Sequence, residues 1–145
     1  MGFLSSIDIK LEKKLDKSFF LFDLVSNKWR YDDHGKVTYI KLNEIDYDWT
    51  QMPLPFENRM LEEILEKNEM GEDIGVVITY NDTNIGGQLI YFQKSNTVSF
   101  LLNINRQVIN NTNKTDFDWY KLYYSKMFEK YIIKAAVYND ERDGV

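Results

Sequence analysis

The spacing of apolar residues divides the chain into elements of two kinds. Residues 74–105 alternate most clearly, with strand-like runs at Val76-Val77-Ile78-Thr79-Tyr80, Leu89-Ile90-Tyr91-Phe92 and Val98 to Ile104. Asn81-Asp82-Thr83-Asn84 with Gly86-Gly87, and then Lys94-Ser95-Asn96, are turn sequences between them. Short turns joining consecutive strands predict an antiparallel meander. In its third strand Val98, Phe100, Leu102 and Ile104 share one face, and Ser99, Leu101 and Asn103 the other. Val37 to Leu42 alternates in the same way, just after the turn Asp32-Asp33-His34-Gly35.

Helical spacing appears twice with clear ends. Phe56, Met60, Leu61, Ile64, Leu65 and Asn68 predict a helix over about 56–70, with Gly71 as its C-cap. Phe117, Tyr120, Tyr124, Met127 or Phe128, Tyr131 and Ala135 predict another, capped by Thr115 and begun by Asp116 and Asp118. Residues 5–17 fit an amphipathic helix through Ile7, Leu11 and Leu15, although Ile7, Ile9 and Leu11 also alternate as a strand would. Phe19-Phe20-Leu21-Phe22 with Leu24-Val25 is a buried strand or a buried helix end, and periodicity does not separate the two. Tyr131 to Tyr138 continues the second helix or forms a final strand. Two prolines predict an irregular path from Asp46 to Pro55, and the tail from Asn139 to Val145 is expected to fray. The expected fold is α+β: an antiparallel sheet, with a central meander at about 74–105 and helices packed against it, in one domain over 1–145.

Composition narrows the classes. A 145-residue chain with 43% hydrophobic residues has enough apolar mass for one core. No run approaches the roughly 20 apolar residues that span a bilayer, so no membrane role is expected. Lysines and acids interrupt Ile7 to Leu15, which is unlike a secretory signal, and the chain has no cysteine. A cytoplasmic location follows as the expectation. Met1-Gly2 with Ser6 fits a permissive lipidation pattern, which is taken as chance.

Charge is the least ordinary feature. Residues 44–73 hold ten acids against Arg59 and Lys67, so this segment outweighs the chain's whole net charge of −5. Glu62, Glu66, Glu69 and Asp73 recur as one helical stripe, with Glu63 beside it. Like charges at i, i+4 cost a helix about 0.2–0.5 kcal/mol per pair, so such a stripe suggests a role beyond folding. One reading is a surface that steers a basic partner; the other is an ordinary solvated helix face. Asp46 and Asp48 flank the same segment, and Trp49 beside them is the best aromatic anchor. Trp119, Tyr120, Tyr123 and Tyr124 exceed what one apolar stripe hides, but core packing accounts for most of them.

Catalytic chemistry finds little support. His34 is the single histidine and lies in a turn, where a general base lacks a positioned partner. Glu44, Asp46 and Asp48 lack calcium-loop spacing, so no metal is expected, and Gly86-Gly87 fits a hairpin or bulge better than a phosphate loop. No pair among the 23 acids is singled out for glycoside chemistry. The Asn-rich stretch from Asn105 to Lys114 could bind sugar or nucleic acid, but composition alone would produce it too, because Asn is frequent throughout the chain. The lysines at 10, 13, 14 and 17 are interleaved with Glu12 and Asp16, which argues against nucleic-acid binding. Neither a cofactor nor an enzymatic activity is expected.

In layout the chain resembles the immunity proteins of bacterial contact-dependent growth inhibition and related polymorphic toxin systems. The matching order is Asp46-Tyr47-Asp48-Trp49, an acidic amphipathic helix, the meander at 76–104 and an aromatic segment from Asp116-Phe117-Asp118-Trp119-Tyr120. The resemblance implies a cytosolic toxin inhibitor that binds one cognate toxin domain, often a nuclease, and covers its active site. From charge and aromatic content, the expected partner-binding residues are Asp46, Asp48, Trp49, Glu62, Glu63, Glu66, Glu69 and Asp73. The alternative is a non-enzymatic adaptor or structural interaction protein, of a kind that phages also encode.

Overall fold

A computed structural model describes residues 3–81 and 83–142. Met1-Gly2, the turn residue Asp82 and the last three tail residues lie outside the described residues. Eight strands form one antiparallel sheet: β1 (Phe3–Leu11), β2 (Trp29–Arg30), β3 (Lys36–Ile40), β4 (Trp49–Pro53), β5 (Ile74–Tyr80), β6 (Gly86–Phe92), β7 (Thr97–Ile104) and β8 (Ile133–Arg142). Their order across the sheet is β4-β3-β5-β6-β7-β1-β8, with β2 paired to β5. The helices are a π-turn at Phe19–Asp23 running into α1 (Leu24–Ser26), then α2 (Glu57–Met70) and α3 (Phe117–Met127). The fold is α+β, and its meander β5-β6-β7 lies where the alternation places it.

The helices pack on one face of the sheet. Ile7, Ile9, Tyr39, Val76, Leu89, Tyr91, Val98 and Phe100 form its buried side, and Met60 and Ile64 of α2 and Tyr120 and Tyr124 of α3 pack onto them. Gly71 closes α2 in the left-handed conformation at φ 76°, which glycine adopts at no steric cost. Asp116, not Thr115, caps α3: its carboxylate accepts the Trp119 N–H at 3.1 Å. Thr115 is buried instead, bonded to Ser5 and Asp140.

Other segments depart from the sequence reading for identifiable reasons. Residues 5–17 are not a helix. Ile7 faces Phe100 on β7 and Tyr138 on β8, so pairing on both sides selects the period of two. Leu15 mimicked a third helical position because it is also buried, in the loop where its N–H meets the Tyr91 hydroxyl at 3.1 Å. The aromatic run resolves as the π-turn, with Phe19 stacked on Phe128 at 5.1 Å and Phe22 exposed. The irregular stretch contains strand β4, at the sheet edge, where Pro53 forfeits no ladder bond on its open side. Residues 133–142 are the final strand, so the tail is ordered through Arg142. Gly86-Gly87 opens β6 beside a register shift against β7, where β7 carries one extra residue between Leu101 and Ile104.

Candidate functional site

The acidic segment folds into two rows with different work. Glu63 accepts the Tyr39 hydroxyl and, at 3.2 Å, the Leu42 N–H. Glu72 accepts the Asn43 N–H at 2.9 Å. Asp73 takes the Tyr47 hydroxyl at 2.5 Å and the Gln93 N–H at 3.2 Å. These bonds pin the loop from Lys41 to Asp48 over the C-terminal end of α2. Beneath that loop lies Lys67, 1% exposed, donating to the Ile40 carbonyl at 2.9 Å. Burial lowers the Lys67 pKa, while Glu72, Asp73, Glu63 and Glu44 pull it back up. Part of the negative excess therefore balances a buried cation.

The second row points outward. Glu62, Glu66 and Glu69 are exposed and make no hydrogen bond or ion pair among the described residues. Lys41 and Arg59 line the same shallow hollow as Glu62 and Glu66, which softens the negative field there. Asp73 does not complete the stripe, because it follows the Gly71 cap and leaves the helix. Asp46 and Asp48 are exposed on the pinned loop. Together with Glu44 they bring carboxylate oxygens within 4.8 Å of one another, an arrangement exposed acids adopt without any ion.

Trp49 lies elsewhere. It pairs with Ile40 on the open face of the sheet, whereas α2 covers the opposite face. The expected partner-binding residues are thus split, since Trp49 and the stripe of α2 lie on opposite faces of the sheet. A Cβ on Gly75 would come within 3.0 Å of the Trp49 ring and 2.6 Å of Ile40, so the bare glycine lets the indole lie against the sheet.

Beside the indole a hollow of about 480 Å³ opens on this face. Trp49 and Gln51 of β4, Thr38 of β3, Val77 of β5, Gln88 of β6 and Asn103 and Ile104 of β7 line it, with Asp33 beside Thr38. Registers Thr38↔Gln51 and Val77↔Gln88 put these side chains on one face of neighbouring strands. Asp33 is held by the Thr38 hydroxyl at 2.8 Å and by His34 Nδ1 at 3.0 Å. The amides of Gln51, Gln88 and Asn103 take no partner among the described residues. Sequence reasoning missed this group because its members lie far apart in the chain, and only the pleat aligns them.

No family model, curated protein or solved structure matches the chain. No helix among the described residues is long and apolar enough to cross a membrane.

Proposed function

We propose that the chain is a binding protein of the immunity type, which docks a basic toxin domain, such as a nuclease, and neutralises it in the cytoplasm. The observation that carries this reading is the outer row on α2: Glu62, Glu66 and Glu69 stand exposed with no partner among the described residues, beside acids that are hydrogen-bonded. Unpaired like charges on a helix cost stability, and a surface that steers an oppositely charged partner gains association rate from them. Trp49 on the open side of the sheet, and the exposed Asp46 and Asp48 on the loop that leads into its strand, supply further contacts. An adaptor would share these features without requiring one basic target.

The test is capture followed by protection. The chain is used as bait in lysate of its source organism, bound proteins are washed at rising salt, and the retained partner is expressed in cells with and without the chain. The immunity reading predicts one stoichiometric basic partner that arrests growth alone and not in the chain's presence. Several host proteins, none of them growth-arresting, would establish the adaptor instead.

A further inference from the structure

We infer that the hollow beside Trp49 is a receptor for an arginine side chain of a protein partner. The proposal rests on the reading that the partner is basic, and it locates a contact that the acidic row alone does not supply. A guanidinium is planar, permanently charged and carries five donors, so it calls for an aromatic face, a carboxylate and several acceptors at once. The hollow offers each. Trp49 presents an indole pressed over Gly75, Asp33 presents the carboxylate, and the amides of Gln51, Gln88 and Asn103 offer acceptor oxygens that have no partner among the described residues.

The pocket also has the marks of a prepared site. Asp33 is fixed from two sides, by Thr38 and by His34, so its carboxylate is positioned before anything binds. No lysine or arginine lines the hollow, so an incoming guanidinium meets attraction from Asp33 and the indole. A lysine would use the charge but forfeit the planar fit to the ring, so arginine is preferred.

The probe is the peptide acetyl-Gly-Arg-Gly-amide, titrated into the isotope-labelled full chain. The readouts are the indole N–H of Trp49 and the side-chain amides of Gln51, Gln88 and Asn103. The expected result is saturable shifts confined to these groups, with a matched citrulline peptide binding at least about tenfold more weakly, because it keeps the shape and loses the charge. Asp33→Asn should erase the preference for arginine over citrulline, and Trp49→Leu should weaken both peptides while the other amide resonances stay in place. Absence of shifts, equal binding of the citrulline peptide, or shifts centred elsewhere would overturn the proposal. Its failure is separable from that of the immunity reading. A captured toxin neutralised equally by the Asp33→Asn chain removes the pocket and leaves immunity standing. Selective arginine binding by a chain that protects against no toxin does the reverse.

Discussion

Glu63 and Glu66 sit one turn apart on α2 and look alike in sequence, yet they do different things. Glu63 reaches under the Lys41–Asp48 loop and holds a tyrosine hydroxyl and a backbone N–H. Glu66 faces water and holds nothing among the described residues. Glu72 and Asp73 belong with the first, Glu62 and Glu69 with the second. The comparison shows that a segregated charge run can be two populations: acids that organise a loop around a buried lysine, and acids free to meet a partner. Only the second population bears on binding.

The sharpest way to break this distinction is to remove the inner acids. Glu63→Ala leaves the buried Tyr39 hydroxyl without its acceptor and should cost about 2 kcal/mol, read as a lower urea midpoint at unchanged slope. Asp73→Asn keeps the shape but weakens the bonds from Tyr47 and Gln93, and should cost about 1 kcal/mol. By contrast, converting Glu62, Glu66 and Glu69 together to lysine should move stability by no more than about 0.5 kcal/mol, because exposed charges contribute little to folding. If the triple reversal destabilises as much as Glu63→Ala, the two rows are not distinct.

Acid titration sharpens the comparison from the far edge of the sheet. Burial works against the Asp140 carboxylate, but bonds from Ser5 and Thr115 outweigh it and lower its pKa below 3.8. The bond from Ser18 likewise lowers the pKa of Asp16. A depressed folded value contributes stability that is full above the unfolded value and is lost as pH falls through the folded one. Urea midpoints should therefore decline below about pH 4, and Asp140→Asn should flatten that decline.

Much of this architecture is written locally, and the rest is not. The meander and α2 were legible because three strand-like runs between Val76 and Ile104 are separated by short turn sequences and Gly71 ends the helical period. The first strand was ambiguous because Leu15 is buried by a loop and imitates a helical repeat. Strand β4 was hidden because Pro53 is compatible with an edge, a fact that requires knowing the strand order. The site divided in the same way. Exposure of Glu62, Glu66 and Glu69 was readable from helical phase. The internal duties of Glu63 and Asp73 were not, since their partners Tyr39, Tyr47 and Gln93 lie 20 or more residues away. Nor could sequence alone separate Trp49 from the stripe, because the sheet that comes between them is assembled from distant strands.

The most direct test of the account measures association of the captured toxin domain with the wild-type chain and with the Glu62, Glu66, Glu69 reversal, by stopped flow across a salt series. The account predicts that the reversal slows association at low salt, flattens its salt dependence and leaves folding stability near wild type. Equal association rates at low salt would show that the outer row of α2 takes no part in meeting the partner.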